Sequence, residues 1–347
     1  MRDPEERSAS LQASGRRSAK AFAPRTTIRR IAPYAATVAI FVALSRKVPF
    51  WTLVDVLRQA DYRSFLVLMA ANTLFYFVWD TLLLSMVMRW FHRAVPFREL
   101  VPARAASYVA AVFNTHLARG TLAFYLTRRT DSGFLHLGST VIFLVATEFT
   151  HLVSWAMLGV IVSNGKAPMH LLLIAPAVAA AWLIFLLYAK LGLTPAVLRG
   201  KKPPQWSLLR TFQIAPFRRY VQVILMRVPM FFVSLVIHYF AARSFGIVIP
   251  FAALLTFLPV IFMAGALPVT VAHLGTTQAA WILFFGSYAP APRLLAFSLA
   301  AHLSFMVMRA CFSLVFGVPA LKVLFNDPGV HPSPGRRTHH PTDWALH

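Results

Sequence analysis

Carboxylates are scarce in this sequence, with 11 Asp and Glu residues against 34 Lys and Arg residues in a chain of 347. Only Asp80 and Glu148 fall deep within apolar runs, which leaves few side chains for general acid–base catalysis. The chain also lacks the Gly-x-Ser-x-Gly, His-Glu-x-x-His and P-loop patterns of common hydrolases and nucleotide-dependent enzymes. The sequence therefore predicts a protein that is not an enzyme of these classes.

Cysteine is nearly absent as well. Cys311 is the single cysteine, so an intramolecular disulfide is excluded. His339 and His340 have no companion ligands nearby in the sequence, and we predict neither a metal site nor a cofactor. Charged residues make up only 13% of the chain, whereas soluble domains contain about 25%.

Hydrophobic residues are abundant instead. They make up 58% of the sequence, and the mean hydropathy is +0.63. Apolar segments fill most of the chain, which predicts an all-α polytopic membrane protein with one integral membrane domain over residues 29–325. Residues 1–28 are basic, and residues 326–347 are rich in Pro, Gly and His, so both read as disordered tails.

The formal net charge of +23 would suggest a nucleic-acid partner in a soluble protein. Here the basic residues lie mostly between and beyond the apolar segments. They indicate membrane topology and contact with anionic lipid headgroups rather than nucleic acid. A second copy of the chain, or proteins of an envelope-lipid pathway, stay open as further partners.

Six segments are long enough to span a bilayer, which takes about 20 apolar residues. Two further regions each contain an apolar arm, a polar interruption and a second arm that is short for a span, which predicts broken or re-entrant hairpins. The six predicted spans are 29–45, 64–88, 136–162, 169–190, 218–243 and 293–323, and the two predicted hairpins are 101–127 and 250–287.

The basic residues support this topology. If the N-terminus is cytoplasmic and each hairpin leaves by the side it entered, 24 of the basic residues are cytoplasmic, seven lie outside, and Arg119, Arg227 and Arg309 remain within the membrane. The positive-inside rule favours such a distribution. It predicts a multi-pass protein of a cell membrane with both tails in the cytoplasm.

The two interruptions resemble each other. The first reads "NTHLARGTLAFYL" from Asn114, and the second reads "VAHLGTTQAAWIL" from Val271. In the topology above they enter the membrane from opposite sides, which is typical of inverted-repeat transporters whose broken helices meet near the midplane. We predict an inverted repeat with its substrate site between the two hairpins.

Helix ends suggest what this site would bind. Gly275 tolerates a positive φ and would let the chain turn, Thr276 or Thr277 would cap the following helix, and Thr121 would do so after Gly120. A helix N-terminus carries unpaired N–H groups and suits a phosphate. The alternative is that these polar side chains only satisfy a kinked backbone. The predicted substrate-binding residues are Asn114, Arg119, Gly120, Thr121, His273, Gly275, Thr276, Thr277 and Gln278.

Two stretches are similar to a known family. "LPVTVAHLGTTQAAWILFFG", followed by "APRLLAFSLAAHLSFMVMRACFSLVFG", resembles the end of the lysylphosphatidylglycerol synthase transmembrane-region, or flippase-like, family. "SYVAAVFNTHLARGTLAFYLTRRT" resembles an earlier element of that family. Pro268, Gly275 and Asn114 match its pattern, whereas Thr277–Gln278 replace its Arg-Glu pair and Thr121 replaces a Glu. Both departures remove carboxylates.

The resemblance implies translocation of a phospholipid or lipid-linked phosphate between leaflets, and it makes the bacterial inner membrane the default location. Two other functions stay open from the sequence. One is a membrane-embedded transferase that modifies lipids, and the other is an accessory or scaffold subunit of an envelope-lipid pathway. A polar cavity between the two hairpins would favour translocation, and its absence would favour the scaffold.

Four ionisable residues lie inside predicted spans and are functional candidates for that reason: Asp80, Glu148, Arg227 and Arg309. Asp80 and Arg227 lie at similar depths, as do Glu148 and Arg309, so the sequence predicts an ion pair within each set. The functional alternative is a polar lining for the path of a headgroup. His151 follows Glu148 by three residues, and we expect it to be hydrogen-bonded rather than metal-bound, as for His238 and His302.

Overall fold

The fold is entirely helical within the part of the chain that the structure describes. The computed structural model describes residues 37–40, 42, 43, 46, 48–113, 115–130, 132–163, 173–191, 207–266 and 274–318. Asn114, Pro268, His273 and both predicted tails lie outside these ranges. A 3₁₀ turn covers Ser207–Leu209, and the α-helices are α1 (Phe50–Gln59), α2 (Tyr62–Phe91), α3 (Phe97–Phe113), α4 (Thr115–Arg129), α5 (Phe134–Val162), α6 (Ile174–Leu191), α7 (Arg210–Ile214), α8 (Phe217–Arg243), α9 (Phe251–Ala266), α10 (Thr276–Phe285) and α11 (Ala291–Phe316).

Four helices, α2, α5, α8 and α11, are long and apolar enough to cross a membrane. They expose many large apolar side chains, such as Val67, Ile161 and Val307, which suits a lipid environment. The prediction of an all-α polytopic membrane protein is confirmed. The number of long spans within the described residues is four rather than six, because α6 has only 18 residues and most of segment 29–45 lies outside those residues.

The two predicted hairpins are pairs of short helices. Helices α3 and α4 pack against each other, as do α9 and α10. Their lengths are 17 and 15 residues in the first hairpin and 16 and 10 residues in the second. At ~1.5 Å per residue none of the four reaches ~30 Å, the thickness of the hydrocarbon core. The short helices therefore agree with segments that turn within the membrane.

The hairpins enter from opposite ends of the bundle. At one end, the Nδ1 atom of His92 lies 2.8 Å from the hydroxyl of Ser132. His92 lies between α2 and α3 in sequence, and Ser132 lies between α4 and α5. The end of α2, the start of α3, the end of α4 and the start of α5 therefore lie at the same end of the bundle. At the other end, the Asp61 N–H donates to the Ser244 carbonyl at 2.9 Å, and Arg293 donates to the Gly246 carbonyl at 3.3 Å. Helix α9 begins and α10 ends at this second end. This is the arrangement that the charge distribution predicted.

His92 closes the first end of the bundle. Its Nδ1 and Nε2 atoms contact Ser132 and Thr140 at 2.8 and 2.7 Å, and Thr140 in turn contacts Thr211 at 2.8 Å. Burial, together with the charge of nearby His136, lowers the pKa of His92 to about 4. The ring is therefore neutral at pH 7 and holds α2, α5 and α7 together by hydrogen bonds.

A close backbone crossing joins the second hairpin to α5. Gly159 lies directly against Thr256 of α9, and a Cβ atom built on Gly159 would stand 2.5 Å from both the Cα and the N atom of Thr256. Small residues permit such contacts between membrane helices. The crossing fixes the first arm of the hairpin against a long span.

Candidate functional site

A cavity of about 300 Å³ lies between the two hairpins. The first hairpin contributes Ala111 and Arg119, and the second contributes Gly265, Ala266 and Thr277. Most of the remaining wall comes from the long helices α2, α5, α8 and α11. The packing of short helices against long ones thus leaves a space near the tips of both hairpins.

Three guanidinium groups and one carboxylate line this cavity: Arg119 on α4, Arg227 on α8, Arg309 on α11 and Glu148 on α5. This set carries a net positive charge. Because charges in a low-dielectric interior attract counter-ions strongly, the cavity favours an anion.

Arg227 is the most buried of the four charged residues, with 6% of its surface exposed. Its Nη2 atom donates to the Leu144 carbonyl at 3.0 Å, and its Nη1 atom lies 3.8 Å from Glu148 Oε2. The second distance is too long for a hydrogen bond. The Glu148 side chain is 34% exposed and opens onto the cavity. This ion pair therefore balances charge without engaging all the donors of Arg227.

Arg309 is held by aromatic rings. Its guanidinium carbon stands 4.1 Å from the ring centroid of Phe305 and 4.5 Å from that of Tyr108, which are cation–π distances. The Nε atoms of Arg309 and Arg227 are both buried and have no hydrogen-bond partner within the described residues. Buried donors of this kind favour an acceptor-rich ligand.

The predicted ion pairs are wrong. Asp80 pairs with Arg104 of α3, whose Nη2 atom lies 2.8 Å from Asp80 Oδ2, and Glu148 pairs with Arg227 rather than with Arg309. Similar depth does not specify which faces of two helices meet. Helix α3 places Arg104 against α2, and the packing of α8 on α5 turns Arg227 toward Glu148.

The second interruption turns as the sequence predicts, but its cap differs. Gly275 has a φ of +96°, and α10 begins immediately after it at Thr276. The N-cap position falls on Gly275 rather than on Thr276 or Thr277. The Gly275 N–H donates to Oε1 of Gln278 at 2.6 Å, so a fully buried glutamine side chain caps the helix. Thr277 is left to line the cavity.

The first interruption differs more from the prediction. Helix α4 begins at Thr115, so Gly120 and Thr121 lie inside it rather than at its N-terminus. The Thr121 hydroxyl donates to the Leu117 carbonyl one turn earlier, at 2.9 Å. The predicted cap by Thr121 is therefore wrong, since a single glycine is tolerated within a helix. Helix α3 ends at Phe113, and Asn114 lies outside the described residues.

Two histidines of the cavity wall are hydrogen-bonded, as expected. His151 Nε2 accepts from Trp155 Nε1 at 3.1 Å, which leaves its Nδ1 protonated when the ring is neutral. His238 Nδ1 lies 2.7 Å from the Ser234 carbonyl, to which it donates. His302 lines the cavity as well. These rings give the wall polar character.

The structure thus brings together Arg119, Thr277, Glu148, Arg227 and Arg309 in one cavity. Asp80, Thr121 and Gln278 are not part of its wall: Asp80 pairs with Arg104, Thr121 lies within α4, and Gln278 caps α10.

Asn72 and Tyr76 line the cavity from α2, and neither is among the site residues that the sequence predicts. Asn72 is only 4% exposed, and an amide within the apolar span 64–88 was the signal that could have found it.

No protein-family model matches this chain, and a search of curated proteins finds no match to it. The cavity and its side chains are therefore the basis for a functional conclusion.

Proposed function

We propose that this protein translocates an anionic lipid, either a phospholipid or a lipid-linked phosphate, between the leaflets of a membrane. The single observation that carries the proposal is the cavity between the hairpins, which has three arginines against one carboxylate. The buried Nε donors of Arg227 and Arg309 support an acceptor-rich ligand such as a phosphate. The resemblance to the flippase-like family implies the same class of substrate.

The location of Arg119 supports translocation over simple anchoring. Arg119 lies ten residues before Arg129, the last residue of α4, and α4 ends near His92 at one face of the bundle. At ~1.5 Å per residue this places Arg119 ~15 Å from that face, near half of the ~30 Å hydrocarbon thickness. A phosphate that contacts Arg119 would be about midway between leaflets.

Leaflet exchange in reconstituted vesicles tests the proposal. Full-length protein is placed in phosphatidylcholine vesicles with a fluorescent phosphatidylglycerol or a polyprenyl phosphate in one leaflet. Arg119→Ala should slow exchange about 10-fold or more, because a hydrogen bond to a charged group contributes ~1.5–3 kcal/mol. Arg119→Lys should retain part of the rate.

Arg218→Ala is the matched control, since Arg218 is an exposed arginine at the start of α8 and the substitution removes the same charge. Equal exchange by the wild type and Arg119→Ala, at equal reconstitution, would contradict the proposal. Mass spectrometry of the recovered lipid distinguishes translocation from the transferase alternative, because a transferase would leave a chemically altered lipid.

The orientation belongs to the same proposal. Both tails are cytoplasmic, in a bacterial inner membrane, so the His92 end of the bundle faces the cytoplasm and the Asp61 end faces outward. In a Cys311→Ser background, Arg93→Cys should label only from the cytoplasm and Arg58→Cys only from outside with an impermeant maleimide. Both positions are exposed and flank opposite ends of α2. The reverse pattern of labelling would overturn this orientation.

A further inference from the structure

A second cavity adjoins the first and differs from it in character. It has a volume of about 350 Å³ and lies as a groove between α4 and α5. Apart from Arg119, every side chain on its wall is apolar or absent, since Gly120 of α4 and Gly138 of α5 contribute only backbone. We call it the α4–α5 groove.

The groove faces outward. Phe134 and Ile142 on its wall are 48% and 45% exposed, and both belong to α5, one of the four helices suited to cross a membrane. In a bilayer such side chains contact lipid chains rather than water. The groove is therefore open to the hydrocarbon region.

We call the first space, which Arg119, Glu148, Arg227 and Arg309 line, the charged cavity. Arg119 lines both the charged cavity and the α4–α5 groove, so the two spaces meet at its side chain. A single guanidinium at this junction suits a ligand with an anionic group on one side and an apolar chain on the other. A dry cavity of about 150 Å³ accommodates benzene, so about 350 Å³ has room for a chain segment of roughly a dozen carbons by the same measure.

We propose that the α4–α5 groove binds one alkyl chain of the transported lipid while the phosphate of that lipid occupies the charged cavity beside Arg119. The inference rests on the proposed function for the identity of the headgroup. It adds a chain-binding site, which makes the length of the chain a determinant of specificity. A soluble phosphate such as glycerol phosphate would use the charged cavity alone.

The two glycines offer a way to fill the groove without disturbing the fold. A Cβ atom on Gly120 meets nothing within 4 Å, and one on Gly138 meets only Leu208 Cδ2 at 3.8 Å. Both residues lie within helices, where leucine is a better helix former than glycine. Gly120→Leu and Gly138→Leu should therefore occupy the groove and leave the protein folded.

Gly133→Leu is the matched control. A Cβ atom on Gly133 also meets nothing within 4 Å, its φ of −63° suits any residue, and it does not line the groove. All three variants exchange glycine for leucine in the same region of the chain. Only two of them obstruct the proposed chain site.

Photolabelling tests the groove separately from translocation. Full-length protein in phosphatidylcholine nanodiscs is irradiated with a diacylglycerol that carries a diazirine in one chain, and adducts are mapped by mass spectrometry. This probe has no phosphate, so its binding does not depend on the charged cavity. We expect adducts on residues 134–145 in the wild type and in Gly133→Leu, and a loss of at least 5-fold in Gly120→Leu and Gly138→Leu.

Equal labelling of residues 134–145 in all four proteins, or adducts that avoid this segment in the wild type, would overturn the proposal. The comparison with Gly133→Leu separates binding in the groove from general contact between α5 and lipid. Gly120→Leu and Gly138→Leu fill the groove from different helices, so either one completes this comparison if the other fails to fold. Groove labelling without leaflet exchange would contradict the proposed function alone, and exchange without groove labelling would contradict the groove alone.

Discussion

Replacing Gly159 with alanine is expected to lower the free energy of unfolding by roughly 2–3 kcal/mol, and replacing it with leucine should prevent folded protein from accumulating. The added Cβ atom would stand 2.5 Å from the Cα and N atoms of Thr256. These are backbone atoms of α9, so no change of rotamer relieves the clash. Helices α5 and α9 would have to separate, and the second hairpin would shift with them.

The midpoint of thermal unfolding of the purified protein measures this effect, with size-exclusion chromatography of heated samples as the readout. Gly133→Ala is the control, because its Cβ atom enters open space. Gly133 is the N-cap of α5, where alanine is less favourable than glycine, so its midpoint should fall slightly and by much less than that of Gly159→Ala. Unchanged midpoints for both variants would show that α5 and α9 are not in backbone contact. A functional protein with Gly159→Leu would contradict the packing of the second hairpin described above.

The hairpins could be predicted because their cause lies in the sequence. Polar residues and glycine interrupt two apolar runs whose second arms are short, and the basic residues then favour one side for each loop. The positive φ of Gly275 followed from the same local pattern. These features depend on neighbouring residues and on the thickness of the bilayer, both of which a sequence supplies.

The ion pairs could not be predicted because they depend on how helices rotate against one another. Residue number gives the depth of Glu148 along α5 but not the face that meets α8. The contact of Arg309 with Tyr108 likewise depends on the packing of α11 against α3, whereas Phe305 lies one turn before Arg309 on α11 itself. The same holds for the crossing at Gly159, where a single glycine in a long apolar helix gives no sequence signal of a partner.

The predicted helix cap in the first hairpin is wrong for a different reason. The sequence predicts that a helix starts after Gly120 with Thr121 as its cap, whereas α4 continues through that glycine. The open space above Gly120 gives that glycine another explanation, since a side chain there would enter the α4–α5 groove. At the second interruption, Gln278 replaced the predicted threonine cap because a buried amide reaches back to the Gly275 N–H.

The pair of Glu148 and Arg227 should show strong energetic coupling. Arg227→Met alone should lower the free energy of unfolding by about 3 kcal/mol, because it removes the hydrogen bond to Leu144 and leaves the Glu148 carboxylate beside an apolar neighbour. Glu148→Gln alone should cost less, about 1 kcal/mol, since that side chain is 34% exposed and the 3.8 Å separation is long. The double variant should be more stable than the sum of the two losses by at least ~1 kcal/mol.

A second cycle with Arg309→Met in place of Arg227→Met gives the comparison. Its coupling to Glu148→Gln should be smaller, because Arg309 contacts aromatic rings rather than the carboxylate. Equal coupling in both cycles, or strict additivity in the first, would contradict the pairing of Glu148 with Arg227.

The same substitutions should also change the binding of the transported lipid. Among the described residues, Glu148 is the only carboxylate on the wall of the charged cavity, where it would compete with a bound phosphate for Arg227. Glu148→Gln should therefore strengthen the binding of anionic lipid even as it weakens the fold, whereas Arg227→Met should weaken both.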